Sequence, residues 1–216
     1  MSGGLRRRRT GGKPLRRAPG RRPELRTIVV FCEGIRSEPD YVLGLKRLPE
    51  IAENTALNIE IHPEQGAPIT LVEMAVARKS DPEVDECWCL FDVEWPLNHP
   101  SLDAAVALAK ANDIHLAISN PCFEVWLILH HEDQFRFENT DVIERRSRIL
   151  DRRKGKGIDA AAYMPLRKEA FRRAAALEKR HAKDGRKLPH DNPSSGMHRF
   201  LAAVEGESVH RTVDRG

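Results

Sequence analysis

The sequence has no long apolar segment, few aromatic residues and no glycine-rich phosphate loop. None of its apolar runs approaches the roughly 18 residues that a membrane-spanning helix needs, so we expect no membrane partner. The N-terminus is basic but has no apolar stretch of a secretory signal, which predicts a cytoplasmic protein. Because there is no P-loop motif, any nucleotide hydrolysis is expected to come from a partner protein.

Cysteine is also scarce, and the four cysteines predict neither a disulfide framework nor a zinc site. None of them is spaced with histidines in the way that zinc ligands are. All lie in or beside apolar runs, which favours reduced, buried core residues: Cys32, Cys87, Cys89 and Cys122.

The charges are strongly segregated, although the formal net charge is only +4. Residues 1–26 carry 10 Lys and Arg against one Glu, and residues 145–187 carry 16 against 5 acidic residues. Between them, residues 27–144 carry 22 acidic residues against 7 Lys and Arg. Basic segments around an acidic body favour a ligand with a phosphate backbone and a metal ion in the acidic part. A disordered arm beside a solvated helix face would give the same composition.

Strand and helix signals alternate four times over the first 130 residues. Apolar or alternating runs predict strands at 27–32, 58–62, 86–91 and 113–118, each followed by a helical pattern. This order predicts an α/β fold with a mostly parallel sheet flanked by helices. We predict a disordered basic arm at 1–26, an α/β core at 27–135, a basic helical extension packed on the core at 136–205, and a frayed tail at 206–216.

The centre of the chain is an apolar run that ends at Asp92 and Glu94. On an extended segment these two side chains point the same way, and Glu33 follows the first predicted strand. If both strands are parallel neighbours, the three carboxylates meet at the carboxyl edge of the sheet, where open α/β sheets bind ligands. Clustered carboxylates repel one another, so we predict that they hold Mg²⁺ or Mn²⁺.

Residues near the next strand end and the first helix are candidates for the same site. Asn120 and Glu124 would complete a second metal site or bind substrate; alternatively, Asn120 caps a helix and Glu124 supports the site indirectly. Glu38, just inside a helix that begins near Ser37, either complements the helix dipole or reaches the metal.

The C-terminal half contributes four more candidates for binding substrate. Lys154 and Lys156 lie in a basic, glycine-containing link and would clamp a phosphate. Asn192 and His198 would return to the site from the far end of the chain. The alternative for this last pair is a capped turn followed by an exposed histidine.

Four motifs stand in an order that is shared with a known family. Cys32-Glu-Gly34 is followed by Glu38-Pro39 and Tyr41, and later by Phe91-Asp-Val-Glu94; the block from Ser119 to His130 and then Asn192-Pro-Ser-Ser195 with His198 complete the set. Together they resemble the RloB-like family over about residues 27–205. The twelve-residue block is the most specific part of this resemblance.

The resemblance implies a Toprim-like fold in a prokaryotic defence protein that often works beside an ABC- or AAA-type ATPase. It implies that Glu33 is the Toprim glutamate and that Asp92 and Glu94 are the acidic pair, as catalytic residues and metal ligands. Glu94 stands where Toprim proteins often have Asp, and its longer arm still suits Mg²⁺. The lysine that is usual near residues 154–163 is less clear, with Lys154 and Lys156 as candidates.

The leading hypothesis is therefore a metal-dependent nuclease that hydrolyses RNA or DNA in antiviral defence, with a partner ATPase. The alternative is a non-catalytic subunit with a degenerate Toprim-like site that binds nucleic acid or a partner. A phosphotransferase with an aspartyl nucleophile fits less well, because the first strand ends in Glu33-Gly34 and not in an acidic pair.

Overall fold

A computed structural model describes residues 25–206, and the predicted basic arm and frayed tail lie almost entirely outside them. Strands and helices alternate as the sequence predicts. Five strands are present among these residues: β1 (Arg26–Cys32), β2 (Leu57–Ile61), β3 (Glu86–Asp92), β4 (His115–Asn120) and β5 (Ser194–Ser195). The helices are α1 (Ser37–Lys46), α2 (Pro49–Ala52), α3 (Pro68–Lys79), α4 (Leu102–Ala111), α5 (Glu124–His131), α6 (Thr140–Asp151), α7 (Ala160–Tyr163), α8 (Arg167–Lys183) and α9 (Met197–Glu205).

The strands form one sheet in the order β2-β1-β3-β4-β5. The first four are parallel, and β5 pairs antiparallel with the end of β4. The prediction of a mostly parallel α/β sheet flanked by helices is therefore confirmed. β5 has only two residues, which are too few to show a strand pattern in the sequence.

Each face of the sheet is covered by its own hydrophobic cluster. In β1, Ile28 and Val30 face the cluster that contains α1, α5, α8 and α9, whereas Val29 and Phe31 face the cluster with α3 and α4. Successive side chains of a strand point to opposite faces. Burial on both sides explains why β1 and β3 are continuous apolar runs without polar alternation.

The specific block from Ser119 to His130 forms the end of β4 and the buried helix α5. Every residue from Val125 to His130 is buried. The ring of His130 accepts a hydrogen bond from the Tyr41 hydroxyl at Nε2 (3.0 Å) and donates from Nδ1 to the Trp126 carbonyl (2.8 Å). Burial lowers the pKa of His130 to about 3, so this histidine is neutral and serves the core.

The basic C-terminal helices pack on the sheet core through a narrow apolar stripe. Ala170, Phe171, Ala174 and Leu177 of α8 belong to the same buried cluster as α5 and β1. The basic residues of α8 lie around that stripe. The domain boundary at residue 135 stays a prediction, since both sides share this cluster.

Serine is a common helix cap, but Ser37 and Ser101 do not cap α1 and α4 through their side chains. The Ser37 hydroxyl donates to the carbonyl of Lys156 (2.8 Å), and Ser101 contacts His99. Between α7 and α8 lies a 3₁₀ turn at Met164–Leu166, where Pro165 has no backbone N–H to donate.

The described part of the chain, residues 25–206, has no helix that combines the length and apolarity needed to cross a bilayer. All four cysteines are buried and free, as the sequence predicts. Burial raises the pKa of Cys32 and Cys122 well above its usual value, so both remain thiols.

The contact between α1 and α7 leads to a stability prediction at Gly44. A Cβ at this position would lie 2.5 Å from the Cβ of Ala160, so Gly44→Ala forces the helices apart. Overpacking of about 1–3 kcal/mol exceeds the helix-propensity gain of about 1 kcal/mol. We expect a net loss of up to about 2 kcal/mol in the free energy of unfolding, measured by urea denaturation.

Two further variants identify the cause. In Gly44→Ala/Ala160→Gly the clash is relieved, and the two substitutions should be coupled by at least about 1 kcal/mol. Gly155→Ala is the matched control, because a Cβ there meets nothing within 4 Å. Purely additive effects in the double variant would contradict the predicted contact.

Candidate functional site

The register of β1 and β3 brings Glu33 next to Asp92. Cys32 pairs with Leu90 across the two parallel strands, and the backbone N–H of Glu33 donates to the Leu90 carbonyl (3.0 Å). The Glu33 carboxylate in turn accepts a hydrogen bond from the backbone N–H of Asp92 (2.8 Å). The predicted meeting of these two strand ends at one edge of the sheet is therefore present.

Glu94 reaches the same edge by a route that the sequence did not indicate. β3 ends at Asp92, and Glu94 has left-handed backbone geometry (φ +66°), so the two residues are not on one extended segment. The backbone N–H of Glu94 donates to the Pro121 carbonyl (2.8 Å), which holds the turn against the end of β4. Its side chain is exposed, whereas that of Asp92 is partly buried.

A cavity of about 310 Å³ opens at this edge of the sheet. It lies between the ends of β1 and β3 and the first turns of α1, α5 and α6. Six carboxylates line it, with only two cationic side chains in the same wall. The acidic residues are Glu33, Glu38, Asp92, Glu94, Glu124 and Glu144, and the cationic ones are Arg36 and Lys156.

Glu38 is the most buried acid of α1 and is turned back onto the loop before the helix. Its carboxylate accepts from the backbone N–H of Gly34 (3.2 Å), and a Cβ at position 34 would lie 2.7 Å from the same oxygen. Burial, together with the charges of Glu124 and Glu33, raises the pKa of Glu38 to about 7. Glu38 therefore lines the cavity, and its contact with a metal ion stays a prediction.

Mutual repulsion extends to the carboxylates at the strand ends. Burial raises the pKa of Asp92 well above its usual range, and the neighbouring charges of Glu38, Glu124 and Glu33 add to this effect. The pKa of Glu33 is also raised by burial, although the Asp92 N–H partly opposes the shift. Such a cluster is stable at neutral pH only if it takes up protons or a cation.

The residues fit a hard divalent cation by their chemistry but do not form a ready coordination sphere. Carboxylate oxygens are the ligands that Mg²⁺ and Mn²⁺ prefer. Among residues 25–206, however, no three His, Cys, Asp or Glu side chains converge on one point as metal ligands. Side-chain rotation within the cavity is therefore required before three of these carboxylates can share one ion.

Glu124 is the one acid of the cavity with a buried cationic partner at hydrogen-bond distance. Arg153 donates to it (3.3 Å) and also contacts Ser147 and Asp151, while its Nε is buried without a partner in the described structure. No sequence signal distinguishes Arg153 from its neighbours in the basic link. Its position shows that this link is anchored, not free.

Lys156 lies at the cavity, whereas Lys154 is exposed and is not part of the described wall. The link is tied to α1 at two points. The carbonyl of Lys156 accepts from Ser37, and the backbone N–H of Ile158 donates to Asp40 (3.2 Å). These contacts hold Lys156 beside the carboxylates.

Besides Lys154, three of the predicted substrate-binding residues lie outside the carboxylate cavity. The Asn120 amide is buried and donates to Pro189 and Asp191, so it joins β4 to the C-terminal segment and does not cap α5. Asn192 is buried against the backbone of Glu138. The third residue, His198, lines another cavity.

His198 is buried between β5 and α8, not exposed after a turn. Its Nε2 pairs with Glu178 (2.9 Å) and its Nδ1 with the Ser195 carbonyl (2.8 Å). It lines a separate cavity of about 420 Å³ with residues of α8 and α9.

Three residues beside the cavity were not predicted from the sequence: Thr140, Glu144 and Arg153. Thr140 begins α6 and Glu144 lies one turn later, and their position beside the cavity depends on how that helix packs on α5. An acidic residue in a basic, amphipathic helix looks like part of its solvated face. No local signal could have identified these three residues.

A sequence model described as "RloB-like protein" matches residues 28–204. This span contains β2 to β5, all of β1 except its first two residues, and every residue of the carboxylate cavity. No curated protein and no solved structure matches the chain.

The raised pKa of Glu38 predicts how stability changes with pH in metal-free protein. Folded protein holds this proton up to about pH 7, whereas the unfolded chain releases it near pH 4.5. The native state therefore binds more protons in this window, and the free energy of unfolding falls as pH rises from 4.5 to 7. Glu38→Gln removes this loss and should raise stability at pH 8 by up to about 3 kcal/mol.

The measurement is urea denaturation with EDTA from pH 4.5 to 8. Exposed Glu53→Gln is the control and should keep the wild-type slope. If Glu38→Gln shows the same fall with pH as the wild-type chain, Glu38 does not carry the extra proton.

Proposed function

The chain belongs to the RloB-like family, and from this membership and the geometry of its cavity we propose that it is a metal-dependent nuclease. In this proposal it hydrolyses phosphodiester bonds of RNA or DNA with Mg²⁺ or Mn²⁺. The observation that carries the proposal is the cluster of carboxylates at the carboxyl edge of the parallel sheet. Raised pKa values at Glu33, Glu38 and Asp92 support it, since a divalent cation would relieve their repulsion.

Each residue has a distinct part in the proposed reaction. Asp92, Glu94 and Glu33 are the proposed metal ligands, and Glu33 also orients the attacking water. When bound, the ion would stabilise the attacking and leaving oxygens of an in-line displacement. Lys156 would contact the substrate phosphate. Arg153 would position Glu124, with which it shares a buried ion pair.

Family membership also supports a biological setting. We place the activity in antiviral defence in the cytoplasm, with an ABC- or AAA-type ATPase as partner. The sequence contains no P-loop, so ATP hydrolysis would have to come from that partner. This division would leave the present chain as the part that cuts nucleic acid.

A second candidate function is a non-catalytic subunit that binds nucleic acid or a partner. Two observations favour it: no three ligands converge in the described residues, and Arg153 already neutralises Glu124. In that case the carboxylates would stay partly protonated, and divalent ions would have little effect. Cleavage assays separate the two candidates.

The test uses purified full chain with a panel of labelled RNA and DNA in Mg²⁺ or Mn²⁺. We expect cleavage that EDTA abolishes and that Asp92→Asn or Glu33→Gln lowers by at least about 100-fold, because each substitution removes a charged ligand. Exposed Glu64→Gln is the matched control and should cleave like wild type.

Two results would decide against the nuclease. One is cleavage that persists in both variants, which would point to a contaminant. The other is the absence of cleavage under every metal and substrate condition while the chain is folded, which would favour the binding subunit.

A further inference from the structure

Two phenylalanine side chains lie exposed on the segment that joins α5 to α6. Phe135 is 54% exposed and Phe137 is 51% exposed, and Arg136 between them is also exposed. Large apolar side chains that are exposed close together on a surface indicate a binding site. We call residues 134–138 the aromatic loop.

The aromatic loop is held in place by two buried amides. Gln134 donates to the Arg136 carbonyl (2.8 Å) and accepts from Arg146. At the other end, Asn192 donates to the Glu138 carbonyl (2.9 Å) and accepts from the Glu138 N–H (3.4 Å). The loop is therefore built to present its rings, and Asn192 is a positioning residue for it.

The aromatic loop adjoins the carboxylate cavity through Trp95. This ring packs edge-to-face on Phe137, with centroids 5.0 Å apart and planes at 88°. Trp95 directly follows Glu94 in the chain. Its backbone N–H donates to the Thr140 hydroxyl (3.0 Å), and its carbonyl accepts from the Thr140 N–H (3.2 Å). Since Glu94 and Thr140 both line the cavity, the aromatic rings lie next to the carboxylates.

Basic side chains lie on the other side of the aromatic rings. The guanidinium of Arg180 lies 5.4 Å from the centroid of the Phe135 ring. Arg180 belongs to the exposed basic face of α8, with Lys179 and Lys183. Carboxylate cavity, aromatic rings and basic helix face thus follow one another on one side of the molecule.

We propose that the aromatic loop and Trp95 form a stacking platform for unpaired bases, so that the substrate class is single-stranded nucleic acid. The rings stack on bases, while Arg136 and Arg180 contact the backbone phosphates on either side. Cleavage of the bound strand in the carboxylate cavity rests on the proposed nuclease function. Binding of single strands to the aromatic rings does not depend on that function.

Three features favour a single strand over other occupants. Perpendicular packing leaves most faces of the Trp95 and Phe137 rings uncovered by their mutual contact. In a duplex the base faces are already stacked, whereas unpaired bases can stack on protein rings. A protein partner would be expected at a continuous apolar patch, but here cations alternate with the rings and the surface runs into the proposed cleavage site.

The test measures binding apart from cleavage. Full chain carrying Asp92→Asn is titrated into labelled oligonucleotides of about 12 nucleotides, as single-stranded RNA, single-stranded DNA and the matching duplexes. Fluorescence anisotropy gives the Kd. We expect single strands to bind more tightly than duplexes, and Phe135→Ala and Phe137→Ala each to raise the single-strand Kd about 10-fold. The RNA and DNA arms show which nucleic acid is preferred.

Two matched comparisons test stacking itself. Phe137→Tyr keeps the ring and should bind within about 2-fold of wild type, whereas Phe137→Leu keeps apolar bulk without a ring face and should weaken binding about as much as alanine. Leu25→Ala is the surface control, since this exposed residue precedes β1 at the amino-terminal end of the strand, whereas the cavity lies at the carboxyl end. It should leave the Kd unchanged.

The outcomes separate this inference from the proposed function. Unchanged single-strand Kd values in the phenylalanine variants, or full binding by Phe137→Leu, would overturn the stacking platform and favour a protein occupant, even if the wild-type chain cleaves. Ring-dependent binding would sustain the platform, even if the wild-type chain does not cleave any substrate.

Discussion

Repulsion among carboxylates that the sheet forces together is the constraint on which the rest of the site depends. The parallel register of β1 and β3 places the Glu33 side chain on the backbone of Asp92, and α1 turns Glu38 back toward the same point. The backbone at Glu33 and Asp92 cannot move far, because β1 and β3 are buried on both faces, although the side chains can rotate within the cavity. The fold therefore keeps several carboxylates together at one edge of the sheet, although burial disfavours their negative charge. A cation is the simplest ligand that makes this arrangement favourable.

Within residues 25–206, two basic segments adjoin this acidic edge. The link after α6 is anchored by Arg153, Ser37 and Asp40, which holds Lys156 at the cavity. The aromatic loop and the basic face of α8 continue from the other wall. A polyanion could thus be held by cations and rings at some distance from the carboxylates, which would otherwise repel it. This separation gives a physical reason for the segregated charge of the sequence.

Much of the fold could be predicted, because buried strands and amphipathic helices leave a periodic record in the sequence. The same logic placed Glu33 and Asp92 at one edge, since apolar runs end where the sheet ends. The failures come from contacts between distant positions. Asn120 and Asn192 look like surface or site residues, but they bind partners 71 and 54 positions away and hold loops together. Arg153 cannot be told from Arg152 in sequence, although only Arg153 pairs with Glu124. Exposed Phe135 and Phe137 resemble core residues until their surroundings are known.

The central claim is that the carboxylates form one cation site. Isothermal titration calorimetry of the full chain with Mn²⁺, in buffers of different ionisation enthalpy, tests it most directly. If the carboxylates form one cation site, Mn²⁺ binds at about one or two ions per chain, and near pH 6 its binding releases a proton from Glu38, whose pKa is about 7. Glu33→Gln/Asp92→Asn should remove both the binding and the proton release. Absence of Mn²⁺ binding, or binding that this double variant leaves unchanged, would contradict the account.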